Sequence, residues 1–155
     1  KKITLIENGI AKDIALNTKW AKKLEKKSSG HALFGWDMPI CTNIIMKTGD
    51  RSLSDMIKEA KDALLITRFN YTNNVNQKKT MYTGMTRNGV YRIENGKIVG
   101  TANNMRFTIN IMETLKNVLA IGKELHFNGS GWFGGILVPA LMIDNFNFTG
   151  ATKFS

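Results

Sequence analysis

The stretch that decides the fold is TMYTGMTRNGVYRIENGKIVG, residues 80–100. It contains two Asn-Gly pairs, Asn88-Gly89 and Asn95-Gly96. Asn and Gly adopt positive φ at low cost, and the two-residue hairpin turns that suit twisted strands need it at both central positions. Each pair therefore reads as a tight left-handed turn. Between them Val90, Arg92 and Glu94 alternate with Tyr91 and Ile93, the period-two pattern of a short strand with two distinct faces. Strand, turn, strand and turn make a β-meander, so antiparallel sheet is expected at the centre of the chain.

Working upstream, Ala63-Leu64-Leu65-Ile66 is a nearly continuous apolar run, as in a buried strand. It continues into Thr67-Arg68-Phe69-Asn70-Tyr71, with Phe69 inward and Arg68 outward. Ser52-Leu53-Ser54-Asp55 has capping-box spacing. The helix that follows places Leu53, Met56, Ile57 and Ala60 on one side, the spacing of a face packed on a sheet. Further back, Ile40 to Lys47 is rich in β-formers, and Leu16 to Lys27 reads as a short basic helix ended by Ser28-Ser29-Gly30. At the start, residues 2–6 alternate like a strand, Asn8-Gly9 turns, and Ile10 to Ile14 returns. Downstream, Thr108 to Asn117 reads as a helix with Ile111, Met112 and Leu115 on one face. Residues 118–127 and 136–149 read as strands, joined through the glycine-rich loop 129–135. The expected fold is one α+β domain over residues 1–155: a largely antiparallel, curved or barrel-like sheet with two or three helices.

The composition, 43% hydrophobic and 22% charged, is that of a chain able to bury a core, which excludes wholesale disorder. The chain opens on Lys1 rather than Met and reads as a piece of a longer protein. A net charge of +10 favours polyanions in general, but the basic residues are dispersed, so it reads first as a basic surface and nucleic-acid binding is not expected. Cys41 is the sole cysteine; no internal disulfide can form, which suits a reducing cytoplasm. No apolar run reaches the ~18 residues that a membrane span needs.

The chemistry-bearing residues are sparse. Zinc needs three or four clustered donors. His31, Cys41 and His126 show no metal-ligand spacing, so no metal is expected in this chain. Asn128-Gly129-Ser130-Gly131 departs from a nucleophile elbow at both flanking positions, and the glycine-rich loop lacks the Lys-Ser/Thr ending of a phosphate-binding loop. Its glycines either let another backbone approach closely or shape a connection whose Trp132 and Phe133 plug the core.

Several stretches in order resemble the TldD/PmbA family, the zinc-peptidase family once called modulators of DNA gyrase. They are Ser29-Gly30-His31-Ala32, Leu65-Ile66-Thr67-Arg68-Phe69 with Tyr71, Thr83-Gly84-Met85-Thr86-Arg87, Ile93-Glu94-Asn95-Gly96-Lys97-Ile98-Val99-Gly100, Asn104-Met105-Arg106-Phe107-Thr108, Val138-Pro139-Ala140 and Phe146-Asn147-Phe148-Thr149-Gly150. The resemblance runs from about residue 29 to 150, and it is to the family's C-terminal domain.

It implies a two-part design. An upstream H-E-x-x-x-H helix supplies two zinc ligands and a glutamate base, and the C-terminal domain adds a cysteine in a glycine-rich loop shortly before a Val-Pro pair. Counted back from Val138-Pro139, that position falls at or near Gly131, and residues 42–155 contain no cysteine. The chain thus looks like the metal-less, PmbA-like branch, with His126 the nearest other donor. The resemblance further implies dimers with a same-family subunit and extended or unfolded peptides as substrates. An extended peptide is then expected on a strand edge, with Arg68, Tyr71, Gly129, Gly131, Gly134 and Gly135 as its contacts and zinc only in a full assembly. Two alternatives stay open: an active zinc peptidase whose H-E-x-x-x-H lies upstream, and a gyrase-linked nucleic-acid-binding module.

Overall fold

The computed structural model describes residues 1–35, 37–129 and 134–151. Its elements in chain order are β1 (Ile6–Glu7), β2 (Ile10–Ala11), α1 (Thr18–Lys23), β3 (Ile44–Ile45), α2 (Leu53–Glu59), β4 (Asp62–Asn76), β5 (Met81–Glu94), β6 (Lys97–Thr101), β7 (Met105–Asn110), α3 (Ile111–Lys116), β8 (Val118–Gly129), β9 (Gly135–Ile143) and β10 (Phe148–Ala151). The fold is α+β with open, largely antiparallel sheets; no closed barrel forms among the described residues. The chain divides into two compact units, residues 1–46 with 127–137 and residues 47–126 with 138–155.

In the first unit, Asn8 and Gly9 both take positive φ, 51° and 75°, and close a two-residue hairpin with Glu7 opposite Ile10. The strands it joins are two residues each, shorter than the alternation over 2–14 suggests. Helix α1 is also shorter than Leu16 to Lys27. The Asn17 side chain accepts a bond from the Trp20 N–H at 2.9 Å and so fixes the start. Glu25 turns left-handed, φ 53°, which ends the helix before Lys26 and Lys27. Lys22 and Lys23 fall in its last turn, where the helix dipole favours cations. Of the β-rich run Ile40 to Lys47, only Ile44 and Ile45 form a strand, parallel to β9 with Ile44 opposite Ile136.

The second unit holds a five-stranded antiparallel sheet in the order β10-β7-β5-β4, with β6 beside β5. Ser52 caps α2: its hydroxyl accepts from the Asp55 N–H at 3.1 Å and donates to the Asp55 carboxylate. Met56 and Ala60 are buried as the helical spacing requires, while Leu53 is exposed. Helix α3 starts at Ile111, not Thr108. Residues 108–110 belong to β7, and the Asn110 side chain caps the helix by accepting from the Glu113 N–H at 3.1 Å. Its expected apolar face does not pack: Met112 and Leu115 are exposed, and α3 has no buried residue.

Asn95-Gly96 is the expected hairpin turn, φ 47° and 79°, with Glu94 opposite Lys97. Asn88-Gly89 is not a turn. Both residues take positive φ, 64° and 128°, yet β5 runs through them. Ile66 pairs with Val90 and Arg68 with Arg87, so two steps on β4 match three on β5 and the pair forms a β-bulge. The reason is local: positive φ serves a bulge as well as a turn, and the long β4 partner holds both sides of the pair in one ladder. Thr67 lies across from the bulge, with its hydroxyl 3.0 Å from the Gly89 carbonyl oxygen.

Phe69, Thr86 and Phe107 share one face of the sheet by register. Phe107 and Thr86 are buried, and Phe69 packs edge-on to Phe107 at 4.8 Å between centroids and stacks on Phe146 at 5.6 Å. A Cβ on Gly84 would lie 2.6 Å from the Phe107 ring, so glycine there makes room for that ring rather than for a turn.

Candidate functional site

Strand β4 is fifteen residues long and pairs along its length with β5 only. β5 carries β7 and β6 on its other side. Among the described residues the far edge of β4 therefore has no strand beside it. A free edge presents a row of backbone N–H and C=O groups, which is a template for another extended chain. Its outer half is exposed from Tyr71 to Asn76.

Arg68 and Tyr71 both lie on this edge strand. Arg68 faces outward, opposite to the Phe69 side that packs on Phe107, as the alternation requires. Tyr71 has φ 56° and is 80% exposed. A bulky side chain in the left-handed region is an outlier, about 1–2 kcal/mol above the normal helical hand. The cause is a second bulge. Asn70 pairs with Met85 and Asn73 with Thr83, so three steps on β4 match two on β5. The Asn73 side chain closes the bulge by donating to the Tyr71 carbonyl at 2.8 Å. Bulges also re-aim side chains and blunt an edge against indiscriminate pairing, which leaves the smooth run of β4 on the Arg68 side.

The glycines are in the other unit. Gly129 ends β8, and Gly134 and Gly135 lead into β9. A Cβ on Gly134, φ 105°, would run into the Thr42 carbonyl, and one on Gly135 into the Phe127 ring. The Gly135 N–H donates to the Asn43 side chain at 3.1 Å. The room at these two positions is thus taken up by the protein's own chain. Gly131, Trp132 and Phe133 lie outside the described residues.

No group of three among His, Cys, Asp and Glu comes together as metal ligands would among the described residues. His31 shares a 2.8 Å hydrogen bond with Ser29, and Cys41 is a half-buried free thiol. The donors among the described residues do not fit a zinc site. An open hollow of about 700 Å³ in the second unit is lined by Asp50, Arg51, Glu59, Leu119 and Met142 among others. Its Arg51 is ion-paired to Glu59, so the hollow offers no uncompensated cation.

Register shows what the sequence alone did not. Arg68 on β4 stands directly opposite Arg87 on β5, and Arg106 on β7 stands opposite Met85, two residues from Arg87. Partners across a ladder share a face, as do residues two apart on a strand. The three arginines therefore lie on one face, across three adjacent strands, and all are exposed. The sequence signal was the recurrence of Thr-Arg at 67–68 and 86–87, but alignment across the Asn88-Gly89 bulge is what brings the two arginines face to face. No described helix is long and apolar enough to cross a membrane.

Comparison with known proteins agrees with this fold. TldE from Thermococcus kodakarensis superposes with a TM-score of 0.80 at 23% identity, over 94% of this chain and 33% of that one. A Thermotoga maritima protein named as a modulator of a DNA gyrase gives 0.74 at 17% identity, over 94% and 32%. At these identities the likeness establishes the fold alone. A protein named metalloprotease from Methanothermobacter thermautotrophicus is 28% identical over 133 residues, 84% of this chain and 29% of its own length. The chain thus spans about a third of the relatives it matches. The family described as PmbA/TldA metallopeptidase C-terminal domain matches residues 1–150, and the chain belongs to it.

Proposed function

We propose that this chain is the peptide-binding and subunit-pairing C-terminal domain of a longer cytoplasmic metallopeptidase, and that it holds no zinc of its own. The observation that carries the reading is the free edge of β4, fifteen residues with a strand on one side only among the described residues. Main-chain pairing along an edge recognises extended chains whatever their sequence, as a peptidase of unfolded segments requires. Tyr71 supports the same reading: its ring is exposed and its backbone is held left-handed by the bulge that Asn73 closes, and such strain gathers at sites of binding. Gly134 and Gly135 play a different part here, shaping the loop against Thr42 and Phe127. Zinc, in this reading, belongs to a same-family partner subunit.

The test places a photo-reactive phenylalanine analogue at position 71 and irradiates the protein with an extended peptide. Cross-links from position 71, absent when the analogue is at Met112 on the exposed face of α3, support the reading. Equal labelling from both positions refutes it. Elemental analysis bears on the metal: about one zinc per chain, lost with His126→Ala, refutes the zinc-free assignment.

A further inference from the structure

We infer that the arginine row Arg68, Arg87 and Arg106 gives the β4 edge a preference for acidic residues in the segment it binds; this rests on the edge-binding reading above. Like charges placed directly opposite on neighbouring strands destabilise a sheet. Arg68 and Arg87 form such a pair, with Cβ atoms about 4.5–5.5 Å apart in ordinary ladder geometry. Arg106 is the diagonal neighbour of Arg87. Among the described residues none of the three has an ion pair or a side-chain hydrogen bond. The contrast lies on the same sheet. Arg92, further along β5, is bonded to Glu94 at 2.8 Å. The fold supplies a carboxylate to an arginine on this face, and none to the row among the described residues.

Among the described residues the row is also open at its far end. Gly150 on β10 stands opposite Arg106, and nothing lies within 4 Å of where its Cβ would be. At the near end is the free edge. A strand added beside β4 would place one residue opposite Arg68, on the face the arginines share, since ladder partners point the same way. A Glu or Asp at that position meets the guanidinium of Arg68, with Arg87 one strand further, about 10 Å from the added strand and within reach of a long side chain. Guanidinium forks match carboxylates in a bidentate way that lysine does not. The added acid also removes the repulsion between Arg68 and Arg87. An acidic peptide is favoured over a nucleic acid because the row lies on the sheet face beside a free backbone edge, and the edge takes a polypeptide.

The experiment is fluorescence anisotropy with labelled nine-residue extended peptides, neutral except for one Glu moved through alternate positions, each compared with its Gln twin. One register of Glu should bind roughly 3- to 10-fold tighter than Gln. That preference should disappear in Arg68→Gln, shrink in Arg87→Gln, weaken with salt, and survive Lys97→Gln, which removes an equal charge from β6. The arginine variants relieve repulsion and should fold at least as well as the parent. Equal binding of Glu and Gln peptides in every register overturns the inference and leaves the edge reading standing. Binding of neither peptide overturns both. Tighter binding of a single-stranded DNA oligonucleotide, itself lost in Arg68→Gln, assigns the row to nucleic acid and overturns the inference.

Discussion

Replacing Gly96 by alanine tests the central hairpin, and Gly9 supplies its control. Both glycines take the second position of an Asn-Gly hairpin turn, with φ 79° and 75°. An L-residue in that conformation costs about 1–2 kcal/mol at either place. Their surroundings differ. A Cβ on Gly9 would meet nothing within 4 Å. On Gly96 it would lie 2.5 Å from the Lys58 carbonyl oxygen and 3.1 Å from the Lys58 Cα, at the end of α2. Those are backbone atoms of a helix whose buried Met56 and Ala60 hold it in place, and the Gly96 N–H already donates to the Ala60 carbonyl at 2.8 Å. Nothing there can swing aside, so overpacking adds about 1–3 kcal/mol. Gly96→Ala should therefore cost roughly 2–5 kcal/mol, or about 4–20 °C in melting temperature for a chain of this size. Gly9→Ala should cost at most about 1–2 kcal/mol. Urea and thermal unfolding followed by circular dichroism measure both. Equal losses would refute the close approach of the turn to α2; an unchanged Gly96→Ala would refute the turn itself.

Three further outcomes follow from the same geometry. In a double-mutant cycle, Arg68→Gln and Arg87→Gln should each stabilise slightly, with a repulsive coupling of about 0.2–1 kcal/mol that fades in salt, measured by urea unfolding; an attractive coupling would contradict the register. Ser52→Ala should cost about 0.5–2 kcal/mol through the lost cap. The Ser52 hydroxyl, helped by the charge of Lys58, holds the Asp55 carboxyl below the usual carboxylate range; a lowered folded-state value means that this contribution is present above the unfolded value and is lost as pH falls through the folded one. The gap between parent and variant should accordingly narrow below pH ~4 in unfolding titrations. Gly134→Val should loosen the first unit, because the Thr42 carbonyl fills the space, and hydrogen exchange should quicken at Ile44 and Ile45; unchanged exchange would show that the loop has room for a side chain.

Local signals were legible where one residue type answers one local need. Ser52 with Asp55, and Asn95 with Gly96, specified a cap and a turn that the structure contains. The outward Arg68 and inward Phe69 followed from alternation alone. The same reasoning misread Asn88-Gly89, because positive φ is common to turns and bulges and the partner strand decides between them. It overextended α1 and α3, where capping by Asn17 and Asn110 sets starts that periodicity cannot see. It found the glycines of the 129–135 loop but not that Thr42 and Phe127 occupy the space at Gly134 and Gly135, since those contacts are long-range. The arginine row was illegible for the same reason: register across a bulge, not spacing along the chain, puts Arg87 opposite Arg68.

The proposed function requires that the free edge of β4 receive an extended peptide. Hydrogen–deuterium exchange of the amides of β4, with and without saturating peptide, tests it most directly. Half of these amides point toward β5 and are already bonded; the alternate half point away and should exchange quickly in the free protein. With peptide, the outward amides from Leu64 to Asn70 should slow, while those of β6 stay unchanged. Protection that appears elsewhere and leaves the outward β4 amides at their free rates would contradict the claim.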